Sequence, residues 1–254
     1  MKSISFTAVP GIPEVLDGAD IAATIAKALL AADLLPRARD VVVVAQKIVS
    51  KAEGRTVDLA QVKPSPEAQR LSQLTGKDAR LVEVILAESE EVVRAAPNVL
   101  IVRHRLGFVM ANAGIDRSNV RQSTEQDIVL LLPRDPDASA AQLRHQLMQR
   151  FDVSLSVIIS DSFGRPWRNG VLNVALGAAG LPALIDRRGE TDRNGRPLEM
   201  TEVAFADAIA AGAALVMGEA AEGTPVVLAR GLDWSAADST GAALLRPKRQ
   251  DLFR

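Results

Sequence analysis

The strongest constraint on the fold is a set of short apolar, β-branched runs that are separated by helical patterns of unequal length. Val41–Ala45 has the pattern of a buried strand, and residues 153–159 and 226–228 have the same pattern. The segments between these runs do not repeat as regular strand–helix–strand units. The sequence therefore predicts the α+β class, with a mixed sheet and packed helices, and not a doubly wound parallel sheet.

Other segments fit the same class. Strands are also predicted over residues 99–105 and 128–132, and helices over 20–34, 66–75, 78–94, 137–151 and 201–217. Ser65-Pro66 has the chemistry of a helix start, Gly76 separates two helices, and Thr201 is predicted to cap the last one. The chain shows no internal repeat or separating linker, so we expect residues 1–254 to form a single domain of two intimate lobes.

Composition excludes several kinds of site. The chain has no cysteine and two histidines, His104 and His145, so thiolate metal sites and histidine-rich zinc sites are excluded. A bound metal is then expected to be a hard cation held by oxygen. Lys and Arg number 30 against 31 Asp and Glu, a balance that argues against nucleic-acid binding through a broad basic surface.

Familiar targeting and nucleotide motifs are absent from the sequence. Residues 1–8 lack a signal-peptide pattern, and the longest uncharged stretch, 169–185, is too short to span a membrane, so a cytoplasmic location and no membrane partner are expected. The sequence has no Walker A phosphate loop, no dinucleotide glycine fingerprint and no nucleophile elbow. Nucleotide binding on another scaffold remains open.

Four segments are richer in polar residues than a core requires. Residues 46–55 follow a strand and form either a solvated loop, which is the more common case, or a site where the lysines bind phosphate oxygens. In residues 112–119, the oxygens of Asp116 and Asn119 satisfy either their own loop or a ligand, at about even odds.

The other two segments differ in how strongly they point to function. In residues 160–168 a carboxylate and a hydroxyl follow an apolar strand, which suits a divalent metal, with two arginines nearby that can bind phosphate or carboxylate. Turn capping by Asp161 is the alternative. Residues 217–225 form a glycine-containing loop that is unremarkable by itself. His104 and His145 are expected to be structural.

Taken together and in this order, these segments resemble the coenzyme F-420-0:L-glutamate ligases (gamma-glutamyl ligases). The resemblance includes Gly11-Ile12-Pro13 and residues 48–55, 112–119, 160–167, 189–198 and 225–231, and spans about residues 3–232. It implies the unusual α+β fold of that family, a homodimer, and addition of L-glutamate to the carboxylate of coenzyme F-420-0. GTP would be the co-substrate, with two sites for Mg²⁺ or Mn²⁺; a requirement for K⁺ is left open.

The resemblance also implies roles for individual residues. Asp116 and Asp161 would hold one metal, and Ser162 and Glu219 a second. Asp161, Lys51 and Arg165 would act in catalysis. The GTP site would be lined by Ile12, Pro13, Glu14, Val15, Gln46, Lys47, Lys51, Asn119, Met217, Gly218, Glu219, Ala220, Ala221, Glu222, Gly223 and Thr224.

Two departures from the family pattern affect these roles differently. Ser162 replaces a common threonine and keeps its hydroxyl, whereas Ala208 stands where many members have glutamate, which removes any charge role there. Two alternative functions follow from the same residues: a GTP- or phosphate-binding regulatory protein without catalysis, and a metal-dependent phosphohydrolase.

Overall fold

The computed structural model describes residues 3–117 and 127–251. Its strands are β1 (Ser5–Ala8), β2 (Val41–Ala45), β3 (Thr56–Asp58), β4 (Ser89–Ala96), β5 (Val99–His104), β6 (Val109–Ala111), β7 (Ile128–Leu130), β8 (Ser156–Arg165), β9 (Arg168–Ala179), β10 (Leu184–Asp186), β11 (Glu202–Ala204) and β12 (Val226–Arg230). Its α-helices are α1 (Ile21–Ala31), α2 (Gln46–Ala52), α3 (Pro66–Thr75), α4 (Ala79–Ala87), α5 (Pro136–Phe151) and α6 (Phe205–Met217).

A mixed sheet forms the centre of the molecule, with the strand order β1-β12-β2-β8-β9. Strands β2 and β8 are parallel, and the other neighbouring pairs are antiparallel. The four valines of β2 are fully buried, because helices cover both faces of the sheet at this point. The α+β class with a mixed sheet is therefore confirmed.

Alternation along β2 divides the core into two layers. Val42 and Val44 pack with the apolar sides of α1 and α5, while Val41 and Val43 pack with α6 on the opposite face. Successive strand residues point to opposite faces, so one run of valines serves both layers.

A second lobe is formed by the middle of the chain. Strands β4, β5 and β6 make a separate antiparallel sheet, and β3 pairs with β7. Helices α3 and α4 pack on these strands around a cluster that includes Leu71, Ile85 and Val102. The lobe holds residues 109–117 beside the extended end of β8, where Phe163 packs against Phe108.

Several local predictions were wrong. The helix predicted over 78–94 ends at Ala87, and Ser89–Ala96 is a strand because its β-branched residues pair with β5 across the turn at residues 97–98. Thr201 does not cap α6, which begins at Phe205, because Glu202–Ala204 pairs with β10. Residues 46–52 form a helix and not a loop.

The strand predicted to end before Ser160 also continues further. Strand β8 runs through residues 160–162 to Arg165, because β9 pairs with it over nearly its full length. None of the described helices has the length and apolar content that a membrane span requires.

Candidate active site

A cavity of about 550 Å³ opens where the carboxyl end of β2 meets the extended part of β8. Five segments line it: residues 12–15, the end of β2 with α2, the middle of β8, one residue of β9, and the loop after α6. The lining residues are Ile12, Pro13, Glu14, Val15, Ala45, Gln46, Lys47, Ile48, Lys51, Ser160, Asp161, Ser162, Asn173, Met217, Gly218, Glu219, Ala220, Glu222, Gly223, Thr224 and Pro225. Its volume lies in the usual range of small-ligand sites, roughly 300 to 1,000 Å³.

The structure brings most of the predicted site residues to this one place. Of the residues expected at the nucleotide site, Ala221 does not line the cavity, and Asn119 lies outside the described residues. Arg165 does not line it either: its Nη2 lies 3.4 Å from the carbonyl oxygen of Asn169, near the turn between β8 and β9. The catalytic role predicted for Arg165 stays a prediction.

The basic groups of the cavity lie on α2, directly after β2. The Nζ of Lys47 is 2.7 Å from the Oδ2 of Asp116, and the Nζ of Lys51 is 3.8 Å from the Oε1 of Glu14. Within the same helix Ser50 Oγ donates to Gln46 Oε1 over 2.8 Å, and both of these residues are buried. Two ammonium groups are therefore held on one wall.

Asp116 reaches this wall from the second lobe. Its backbone N–H donates to Leu130 O over 3.0 Å, and Leu130 N–H donates back to Asp116 O over 2.8 Å. The turn before it is strained: Asn112, Ala113 and Gly114 have φ of 53°, 54° and 67° in succession. Positive φ is uncommon for residues other than glycine, such as Asn112 and Ala113, and strain of this kind clusters at functional sites.

Asp161 has an unusual electrostatic environment. Burial raises its pKa to about 7, against the lowering effects of the Ser162 N–H and the Lys47 ammonium; the negative charges of Asp116 and Glu219 raise it further. Three carboxylates thus act on one another around a single ammonium group. Such perturbed groups in a cleft are typical of functional sites.

The loop after α6 closes the cavity and is ordered by its own contacts. Glu222 accepts a hydrogen bond from Ala220 N–H over 2.8 Å, and Thr224 Oγ1 donates to Met217 O over 2.8 Å. Gly218 has φ of 77° and ψ of 169°, a backbone conformation that essentially only glycine adopts.

The donor chemistry suits a hard divalent cation, because carboxylates of Asp116, Asp161 and Glu219 and the hydroxyl of Ser162 are oxygen ligands. In the arrangement that the described ranges show, no three carboxylate or imidazole groups form a ready metal-binding set. The Lys47 ammonium lies against one of these carboxylates. Cation binding here would therefore require Lys47 to move.

The sequence did not single out every cavity residue. Ser160 is 1% exposed, Asn173 is 4% exposed, and both line the cavity. Asn173 pairs with Ser162 across β8 and β9, a relation that only the strand register reveals. Ser160 belongs to a predicted segment but was assigned no role.

The two histidines lie away from the cavity. His104 is fully buried, its Nδ1 accepts from Leu106 N–H over 2.9 Å, and its Nε2 lies 3.5 Å from Glu88 Oε2. His145 lies on α5. Neither lines the cavity.

Comparison with known proteins points to one family. The family model described as F420-0:Gamma-glutamyl ligase matches residues 11–231. A protein named Coenzyme F420:L-glutamate ligase from Methanothermobacter thermautotrophicus is 48% identical over 255 residues, which cover 99% of both chains. A protein of the same name from Methanopyrus kandleri is 47% identical, and the alignment covers 85% of both chains. Another from Natronomonas pharaonis is 45% identical, and the alignment covers 96% of this chain and 92% of the relative.

Proposed function

The chain belongs to the F420-0:Gamma-glutamyl ligase family, and we propose that it joins L-glutamate to the carboxylate of coenzyme F-420-0 through an amide bond. The main support is similarity over almost the whole chain to relatives that carry this activity in their name. The observation from the structure that best supports it is the convergence of two lysines and a buried carboxylate in one cavity.

We further propose GTP as the source of energy. A carboxylate resists attack by an amine because it is anionic and stabilised by resonance. Transfer of the γ-phosphoryl group would give an acyl phosphate; attack by the glutamate amine on its carbonyl then forms the amide and releases phosphate, with GDP as the other product. The amine loses one proton in this step.

The cavity must overcome repulsion between the reactants. A carboxylate brought to about 4 Å from a phosphate oxygen costs roughly 4 kcal/mol per unit pair at an effective dielectric of 20. Lys47 and Lys51, on the α2 wall, would bind phosphate oxygens and offset this repulsion, and backbone amides of residues 218–224 would orient the nucleotide. Positioning of this kind supplies most of the catalysis in phosphoryl transfer.

Mg²⁺ or Mn²⁺ would be held by Asp116 and Asp161, with a second ion at Ser162 and Glu219. Such ions neutralise developing charge on the phosphates. Lys47 would release Asp116 and turn toward the phosphates. Asp161 would thereby exchange a nearby ammonium for a cation with more charge, which favours its ionised form.

The test is a reconstituted reaction. Purified protein with GTP, Mg²⁺, L-glutamate and coenzyme F-420-0 should yield one GDP per amide formed, measured by chromatography and mass spectrometry. Hydrolysis of GTP that is equally fast without glutamate and acceptor, and that yields no amide, would contradict the proposal. Release of phosphate from simple phosphate esters would instead favour a phosphohydrolase.

We also propose that the protein is a homodimer, as the family resemblance implies. The supporting observation is an apolar tip on the β8–β9 hairpin, where Trp167 is 88% exposed and Val171 is 53% exposed. Light scattering should give twice the monomer mass, and Trp167→Ser should weaken the dimer. A wild-type monomer at micromolar concentration would contradict this proposal.

A further inference from the structure

Two buried polar atoms in the lining of the cavity, here called its floor, have no hydrogen-bond partner among the described residues. The Oγ of Ser160 and the Oδ1 of Asn173 make no hydrogen bond within the described residues, although both are shielded from solvent. Leaving a buried polar atom unsatisfied typically costs about 1 to 3 kcal/mol. Atoms of this kind at a cavity indicate that a ligand completes them.

Strand geometry places the two atoms together. Ser162 is directly opposite Asn173, and Ser160 lies two residues before Ser162, so all three side chains belong to one face of the β8–β9 ladder. This face packs against the end of α6, where Asn173 Nδ2 is 3.9 Å from Met217 Sδ. Because the amide nitrogen faces the sulfur, Oδ1 remains available as an acceptor.

The chemistry of these atoms selects the ligand group. An amide oxygen only accepts hydrogen bonds, so phosphates and carboxylates, which only accept, cannot satisfy it. Hydrogen-bond donors and hard cations both satisfy such an oxygen. Among the proposed organic reactants, the groups that donate are the α-ammonium of glutamate, hydroxyl groups, and the N–H groups of guanine. Ser160 and Asn173 line the same cavity as Asp161, Lys47 and Lys51, where phosphoryl transfer is proposed. The nucleophile must enter this cavity to reach the activated carboxyl group.

We propose that Ser160 and Asn173 bind the α-amino group of the incoming amino acid. The inference rests on the proposed ligase function and names the part of the cavity that takes this substrate. Two N–H bonds of the amine would point to Ser160 Oγ and Asn173 Oδ1. That arrangement would hold the nitrogen beside the activated carboxyl carbon.

The test compares Ser160→Ala and Asn173→Leu with a matched control, Ser156→Ala. Ser156 is a buried serine on the same strand, but its Oγ donates to Gly180 O over 2.6 Å. We expect KM for L-glutamate to rise about 10-fold in each test variant, while KM for GTP stays within about twofold, because one hydrogen bond to a charged group is worth roughly a factor of ten or more.

Stability provides a second readout. Ser160→Ala should melt at or above the wild-type temperature, since it deletes a hydroxyl that makes no hydrogen bond to any part of the chain that the structure describes. Ser156→Ala should melt lower and keep its KM for L-glutamate. Ser160→Ala also keeps the test valid if Asn173→Leu fails to fold.

Three results would overturn the inference. An unchanged KM for L-glutamate in Ser160→Ala would show that the floor does not bind the amine. A raised KM for GTP with weaker discrimination against ATP would assign the floor to guanine. Failure of the wild-type protein to form any amide would overturn the proposed function itself. If the wild-type protein forms the amide and the variants keep its KM for L-glutamate, only this inference is overturned.

Discussion

At the scale of single residues, Asp161 gives the sharpest prediction. Asp161→Asn should abolish amide formation, because it removes a carboxylate that is proposed to hold the metal ion. It should leave the fold intact, because burial already raises the pKa of this carboxyl to about 7 and thus disfavours its charged form. Above pH 7 the variant should be about 1 to 2 kcal/mol more stable than the wild type. Product analysis and thermal melting at pH 8 measure the two effects.

The control for this variant is an exposed carboxylate. Asp186→Asn on β10 removes a group whose pKa is lowered to about 2 by hydrogen bonds from Arg188. It should leave amide formation unchanged. Loss of helical circular dichroism in Asp161→Asn would mean that Asp161 is structural, as in the turn-capping alternative.

Gly114 is the second prediction at this scale. Its φ is +67°, and an added Cβ would lie 2.7 Å from Met110 Cε and 2.8 Å from Leu132 Cδ2. Gly114→Ala should therefore cost about 2 to 4 kcal/mol, measured by urea unfolding, and should lower activity because Asp116 is displaced.

A second glycine, Gly195, separates the cost of backbone strain from the cost of side-chain collision. Gly195 also has positive φ, +79°, but an added Cβ there would have nothing within 4 Å. Gly195→Ala should cost only about 1 to 2 kcal/mol and leave the cavity unchanged. Equal losses in the two variants would show that side-chain collision at Gly114 is unimportant.

At the scale of elements, the contact between β9 and α5 depends on one glycine. A Cβ on Gly177 would lie 2.2 Å from Pro136 O, a backbone atom at the start of the helix. Gly177→Ala must move the helix, so unfolding should become easier by at least about 2 kcal/mol. Thermal melting measures this loss.

Gly164 on the same hairpin is the comparison. It has nothing within 4 Å, so Gly164→Ala should change the melting temperature little. A stable Gly177→Ala variant would contradict the close approach of β9 and α5.

Local sequence signals predicted many of these elements but missed their pairings. The run Val41–Ala45 and the cap at Ser65 were confirmed, because burial and capping are visible in a few neighbouring residues. The strand at 89–96 was missed because its pattern fits a helix until β5 is paired with it. The same limit hid Asn173, whose place at the cavity follows from register and not from its neighbours in sequence.

The candidate site was predicted more completely than the fold around it. The resemblance named residues 12–15, 46–47 and 217–220, and all of them line one cavity. Neither spacing nor periodicity could have brought these segments together, since each is unremarkable alone. Their roles with metal and GTP stay predictions.

At the scale of the whole molecule, charged side chains around the buried Glu88 link separate segments of the second lobe. Glu88 lies 2.6 Å from Arg55 Nη2, 3.2 Å from Arg105 Nη2 and 3.5 Å from His104 Nε2. Burial alone would raise its pKa, but the nearby His104 side chain and the charges of Arg55 and Arg105 outweigh burial and lower it.

This network predicts how stability depends on pH. Because the folded pKa lies below the unfolded one, the stabilisation is complete above about pH 4.5 and is lost as pH falls through the folded pKa. Glu88→Gln should therefore lower the free energy of unfolding by about 1 to 3 kcal/mol at pH 7, because it leaves the mostly buried guanidinium of Arg55 without a charged acceptor. The difference from the wild type should shrink below about pH 4. Urea unfolding at pH 7 and below about pH 4 measures this difference in stability. A difference that does not depend on pH would contradict an ionic role for Glu88.

The order of strands in the central sheet has a consequence for biosynthesis. Strand β12, residues 226–230, lies between β1 and β2 in the sheet. Strand β1, which is synthesised first, therefore pairs with residues that are synthesised more than 200 positions later. While the chain emerges from the ribosome, the edges of β1 and β2 that pair with β12 therefore stay without their hydrogen-bond partners. We expect nascent chains arrested before residue 230 to be protease-sensitive and dependent on chaperones. Chains in which all of β12 has left the exit tunnel should be protease-resistant.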